Sequence, residues 1–203
     1  MGPYDGAVST RHASRMSVFT VATFLGLLTL AAFVGVLGAV VLWFVDRIGA
    51  IEEGVEGLAS AMGPLRLWLA FLVALTATSG SLYFSEIAHF TPCALCWYQR
   101  IAMYPMVVIL GMAALRGDAG VSRYAVPLAA IGALISAWHI GVERVPGLPS
   151  GACSLDVPCS LIYVQAVGFV TIPTMALAGF LSIVTLLLLA RSGQRQPQLE
   201  TNA

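Results

Sequence analysis

The chain has 203 residues, of which 59% are hydrophobic and 10% charged, and its formal net charge is zero. That much apolar surface exceeds what a soluble domain of this length buries, so composition points to a polytopic membrane protein. Zero net charge, with no lysine and no basic tract, leaves nucleic acid no electrostatic footprint to bind.

A hydrocarbon core of ~30 Å takes about 20 helical residues to cross. The first apolar run, Ser17 to Val45, is the longest and carries no charge. It exceeds the roughly 7–15 apolar residues of a signal peptide and is read as a retained helix. Residues 46–63, with Glu52, Glu53 and Glu56, read as a polar connector. Four further runs follow: Leu65 to Phe84, Ala94 to Leu115, Tyr124 to Val142 and Gly168 to Ala190. Pro105, Pro127 and Pro173 fall within them, and bundles tolerate such prolines. The expected fold is all-α: a polytopic membrane four-helix bundle core plus one extra N-terminal hydrophobic helix. The expected organisation is residues 1–64 as tail, helix and connector, 65–190 as the transmembrane core, and 191–203 as a cytoplasmic polar tail.

Arginine placement orients the spans. The two cysteine pairs are separated by two spans and share one side, where only Arg100 and Arg144 lie. Arg47, Arg66, Arg116, Arg123, Arg191 and Arg195 lie on the other. This asymmetry predicts the cysteines outside the cytoplasm. Parity then carries Arg11 and Arg15 to the cysteine side, against the rule; a translocated tail, or a re-entrant or interfacial first run, accommodates that.

All four cysteines, Cys93, Cys96, Cys153 and Cys159, stand at span ends or in loops on the side expected to be oxidising. Four cysteines allow three connectivities. A structural disulfide framework and a four-thiolate zinc site are the bland alternatives, although C-x5-C is an untidy spacing for zinc. The redox reading rests on local detail. Pro92 suits a helix start, which places Cys93 and Cys96 in the first turn, where the helix N-terminus and the C-x-x-C setting favour a thiolate. Arg100 follows Cys96 by four residues on the same helical face and is suited to stabilise a Cys96 thiolate and to bond an acceptor oxygen. Its bland reading is a snorkelling interfacial arginine. The second pair lies in a Pro/Gly-rich loop from about Glu143 to Tyr163, within reach of a soluble partner. Exchange between the pairs moves two electrons from water to lipid, so the expected acceptor is a lipid-soluble two-electron carrier, a quinone.

The string Pro92-Cys-Ala-Leu-Cys-Trp-Tyr-Gln-Arg100 closely resembles the P-C-x-x-C-x-[YW]-[QE]-R signature of the DsbB/BdbC disulfide bond formation proteins. Trp138-His-Ile-Gly-Val-Glu143 resembles the segment before their second cysteine pair, and Gly168-Phe-Val-Thr-Ile-Pro173 resembles the start of their last helix. The resemblance covers roughly residues 65–190. It implies a thiol:quinone oxidoreductase of the inner (plasma) membrane that reoxidises a DsbA-type thioredoxin-fold oxidase and draws on the ubiquinone or menaquinone pool. It further implies disulfides Cys93–Cys96 and Cys153–Cys159, with Cys153 attacked by the partner, Cys159 exchanging with Cys93, and Cys96 delivering electrons beside Arg100. The short C-x5-C spacing is more like the BdbC branch, and Gln99 stands where some members have an acid. The vitamin K epoxide reductase proteins share the chemistry but place the loop cysteines before the C-x-x-C.

Gln99 and His139 are the remaining candidate quinone contacts, with Glu143 four residues beyond His139 as a proton-handling neighbour. No metal is expected. Trp97 and Tyr98 read as interfacial belt residues. The rival from another class is a non-catalytic membrane protein with structural disulfides.

Overall fold

The computed structural model describes residues 4–47, 62–63, 65–148, 151, 153–154 and 156–192. Five helices are long and apolar enough to cross a membrane, with candidate spans Ser17–Val45, Leu65–Ile87, Ala94–Arg116, Ala119–Arg144 and Ile172–Leu189. The chain is therefore an all-α, multi-pass membrane protein. The only β pairing among the described residues is an isolated bridge between Ala166 and Val170. Helices dominate because lipid offers backbone groups no hydrogen bonds, so each span must satisfy its own.

We label the helices α1 (Tyr4–Arg47), α2 (Leu65–Leu82), α3 (Ala94–Arg116), α4 (Ser122–Arg144) and α5 (Ile172–Ser192). A π-helical turn, Tyr83–Ile87, extends α2, and a 3-10 turn, Ala119–Val121, leads into α4. Helix α3 stops at Gly117, whose φ of 65° is left-handed and lets its N–H return to the last carbonyls. Asp118 then caps the 3-10 turn, its Oδ1 accepting from Gly120 N at 2.8 Å.

Helices α2, α3, α4 and α5 form a closed ring of neighbours, with α1 outside it against α5. The buried faces alternate small and large residues. Ala70 and Ala74 of α2 and Ala125 and Ala129 of α4 let backbones approach, while Met106, Leu110, Phe180, Ile183 and Leu187 fill the space between. Phe180 lies over Gly132, where an added Cβ would sit 2.3 Å from the ring. At the end away from the cysteines, buried Arg66 donates to Gly63 O at 3.0 Å and to Leu189 O, tying the start of α2 to the end of α5.

One sequence expectation changes. Helix α5 starts at Ile172, not Gly168: Val167 and Gly168 have φ of 51° and 84°, and the Ala166–Val170 bridge turns the chain before the helix. Pro173 consequently sits in the first turn of α5, where its missing N–H is no loss, and does not kink a span. The first run lies in one continuous helix, as expected, and its Ala22 packs with Val164, Ala166 and Val170 at the cysteine end. The connector expected over 46–63 and the tail over 191–203 lie almost wholly outside the described residues.

Gly132→Ala should lower stability by about 1–3 kcal/mol, because fully buried Phe180 has no room to yield. Gly35→Ala, which meets nothing within 4 Å, should leave it unchanged or slightly raised. Thermal unfolding in detergent measures both; equal behaviour would contradict the packing described.

Candidate functional site

The site begins with a helix cap. Cys93 is the N-cap of α3, with extended backbone (φ −74°, ψ 173°), and its Sγ accepts from Cys96 N at 3.3 Å. Pro92 thus precedes the cap, two positions before the first helical residue, where it was expected. The first N–H groups of a helix have no intrahelical acceptor, so a polarisable sulfur here satisfies one of them. The same geometry brings the sulfurs of Cys93 and Cys96 to 3.0 Å. Both are free thiols in this structure. The expected Cys93–Cys96 bond is therefore open, and its atoms stand about 1 Å beyond the ~2.03–2.05 Å of a closed disulfide.

Cys153 and Cys159 are disulfide-bonded. Cys159 is buried, and it shares an apolar cluster with Cys93, Leu95 and Val142. His139 joins the two pairs. Its Nε2 lies 3.1 Å from Cys159 O and 3.7 Å from Cys93 Sγ, and its Nδ1 lies 3.4 Å from Gln99 Nε2. Both His139 and Gln99 are buried. A carbonyl at Nε2 and an amide N–H at Nδ1 select the tautomer with the proton on Nε2. In that form His139 donates toward Cys93 and stabilises a thiolate there. His139 does not line the cavity beside Cys96 and lies among the sulfurs.

Cys93 lies just outside the candidate span Ala94–Arg116. Its ionisation is lowered to about 4, first by hydrogen bonding from the Cys96 side chain, with His139 and the Cys96 N–H adding and burial opposing. The stabilised thiolate is thus on Cys93, where sequence spacing had suggested Cys96.

Cys96, unlike Cys93, also reaches a second environment. It lines a cavity of about 320 Å³ together with Gln99, Arg100 and Ser81. Arg100 turns to α2: Nε donates to Ser81 Oγ and an Nη to Ser81 O, both at 3.0 Å, and Tyr104 Oη donates to Ser81 Oγ at 3.2 Å. Its guanidinium also stacks 5.3 Å from the Trp97 ring. Arg100 and Cys96 share a wall, but no hydrogen bond joins them among the described residues. Ser81, which holds the arginine, is a site residue that sequence reasoning missed. So is the aromatic stack Phe84–Phe90–Tyr163, with centroids 5.9 and 4.9 Å apart, which lines the same cavity.

Glu143 accepts from Thr171 Oγ1 at 2.7 Å, and Arg144 donates to Phe169 O at 2.7 Å. Instead of facing an acceptor, these residues clamp the end of α4 to the turn before α5. Cys159 and Cys93 are brought into one buried cluster with His139 between them. Cys93, Cys96 and His139 bring three donor atoms within 4.8 Å. Two thiolates on one tetrahedral zinc stand about 3.8 Å apart. The 3.0 Å sulfur separation is better matched to disulfide closure than to chelation.

Residues 64–190 match the family model described as disulfide bond formation protein DsbB. Disulfide bond formation protein C of Bacillus subtilis is 50% identical over 127 residues, covering 62% of this chain and 91% of the relative. A probable disulfide formation protein C 1 of Bacillus cereus is 48% identical over 118 residues, 58% of this chain and 85% of its own. A probable disulfide formation protein of Oceanobacillus iheyensis is 45% identical over 125 residues, 61% and 86% respectively. No solved structure matches.

A lowered Cys93 ionisation means thiolate above that value and its loss as pH falls through it. Ultraviolet thiolate absorbance of the dithiol form should therefore persist well below pH 7 and disappear only toward pH about 4. His139→Ala should move the midpoint upward. A midpoint near the ordinary ~8.5 in the unsubstituted protein would contradict the geometry.

Proposed function

The chain belongs to the DsbB disulfide bond formation family, and we propose that it is a membrane thiol:quinone oxidoreductase that reoxidises a DsbA-type thioredoxin-fold dithiol oxidase. One observation carries this reading: the α3 cap pair touches two compartments. Cys93 lies with His139 and the Cys159 carbonyl on one side, and Cys96 opens into an apolar cavity on the other.

The electron flow balances as two exchanges and one oxidation. A partner thiolate attacks Cys153 Sγ, the Cys153–Cys159 bond breaks, and Cys159 leaves as thiolate. The partner's second thiolate resolves the mixed disulfide, releasing oxidised partner and leaving both loop cysteines reduced. Cys159 then attacks Cys93 Sγ of a closed Cys93–Cys96 bond and displaces Cys96. Attack of Cys153 on Cys159 restores the loop disulfide and leaves Cys93 and Cys96 reduced. His139 stabilises the charge left on Cys93, and burial keeps water from the exchange.

The cavity fits a quinone. Its volume lies at the lower end of the range for small-molecule sites, its walls are mainly apolar, and its polar groups gather beside Cys96. Arg100, held by Ser81, and Gln99 would bond ring oxygens, and the Phe84–Phe90–Tyr163 stack offers flat faces. A bound quinone supplies a two-electron, two-proton acceptor as the Cys93–Cys96 bond reforms. By the arginine asymmetry, the cysteine end faces the extracytoplasmic side of the plasma membrane.

Cys96→Ala should abolish quinol production while the loop disulfide still oxidises one equivalent of partner. Arg100→Ala removes a charge-assisted hydrogen bond worth roughly 1.5–3 kcal/mol and should raise the quinone KM about ten- to a hundredfold. Arg100→Lys should recover only part, because an ammonium lacks the planar fork. Quinol formation against quinone concentration measures each. Many turnovers by Cys96→Ala would overturn the relay, and an unchanged KM in Arg100→Ala would reduce that residue to an interfacial anchor.

A further inference from the structure

The family match begins at residue 64, so α1 lies outside it. Yet four α1 side chains, Leu25, Leu28, Thr29 and Ala32, line the cavity that holds Cys96 and Arg100. They recur at i, i+3, i+4 and i+7, the spacing of a single helical face. No residue of α4 lines that space, which is bordered by α1, α2, α3, α5 and the loops at the cysteine end. We propose that α1 is a working part of the acceptor site. Its Leu25–Ala32 face closes the cavity toward lipid and determines how tightly a lipid-soluble quinone is held. This rests on the reading of the cavity as the quinone site.

Among the described residues, the burial of α1 is greatest at this level. Among its described residues, those buried are Ala22, Gly26 and Thr29, a stripe of small residues of the kind that lets helices approach closely in lipid. At Gly26 an added Cβ would come 2.8 Å from Ala166 Cβ, so the stripe is pressed against the turn before α5. The neighbouring helix is also cut away: at Gly80 of α2 an added Cβ would come 2.9 Å from Leu25 Cδ1. From Val34 to Phe44 no α1 residue is buried, and Gly35 and Gly38 meet nothing within 4 Å. Among the described residues, the fully buried part of α1 is therefore the part that covers the cavity.

The wall it presents is apolar. Buried Thr29 spends its hydroxyl on Leu25 O at 2.8 Å, within its own helix. Leu28 is 41% exposed, so it stands at the lipid-facing edge of the cavity. Polar anchoring thus belongs to Arg100 and Gln99, and α1 contributes shape. Bulk added at Ala32 intrudes on the space for an acceptor, whereas bulk removed at Phe24, which is 59% exposed and does not line the cavity, changes only a lipid contact.

The test uses the full chain in detergent with a short-chain azidobenzoquinone, read by photoadduct mapping and by direct binding. Competition with unlabelled quinone should suppress adducts in two places, α3 near Cys96–Arg100 and α1 within residues 25–32. Ala32→Phe should weaken binding at least about tenfold and Phe24→Ala less than about twofold, while both retain oxidation of one equivalent of partner by the loop disulfide. Competable adducts on α3 with none on α1 would overturn the role of α1 and leave the quinone reading standing; the unsubstituted protein decides this even if Ala32→Phe does not fold. Equal affinities for the two variants would also overturn it. Absence of any competable adduct would defeat the quinone reading, and the inference with it.

Discussion

The hydrogen bond from the Cys96 backbone to Cys93 Sγ organises the site. A helix that starts at a membrane boundary must find acceptors for its first N–H groups, and an unsatisfied one in a low-dielectric setting is expensive. Here the acceptor is the reactive sulfur. Because the cap residue and the third helical residue face each other across the first turn, capping the helix also aligns the two thiols. It further divides their surroundings. The cap residue points back toward the loops, and the residue one turn in points along the bundle wall. Structural necessity and redox geometry are met by one pair of atoms.

The remaining parts keep the loop disulfide beside that cap. His139 reaches the Cys159 carbonyl and Cys93 Sγ from the same ring nitrogen, and Gln99 fixes its tautomer from α3. One turn further, Glu143 and Arg144 bind the chain before α5 through Thr171 and Phe169. Such buried polar contacts are costly when half satisfied and rigid when complete. With only five residues between Cys153 and Cys159, the loop has little slack, so its register depends on this clamp. On the lipid side, Ser81 holds Arg100 in place by two hydrogen bonds, which presents a fixed cation beside Cys96.

The spans were legible in the sequence because lipid demands uninterrupted apolar length, and the first apolar run lies within the continuous helix Tyr4–Arg47. Hydropathy could not show the late start of α5, since positive φ at Val167 and the Ala166–Val170 bridge are conformational and not compositional. The cysteine pairs and Arg100 were visible as spacing, but the rotation of a helix against its neighbours was not. That rotation sends His139 to the sulfurs and turns Arg100 from Cys96 to Ser81. Ser81 gave no signal beyond being a small polar residue in the run Thr76-Ala-Thr-Ser-Gly-Ser-Leu82. The Ala22, Gly26, Thr29 stripe was present in the first run, but uniform apolarity around it hid the one face that docks.

The central claim is that Cys93 and Cys159 meet, so that the two pairs work as one circuit. The most direct measurement removes their alternatives. In a Cys96→Ala, Cys153→Ala double variant, Cys93 and Cys159 are the only thiols left, and mild oxidation should join them in a single intramolecular disulfide identified by non-reducing peptide mass spectrometry. Two thiols that remain separately alkylatable after oxidation in folded protein would contradict the account.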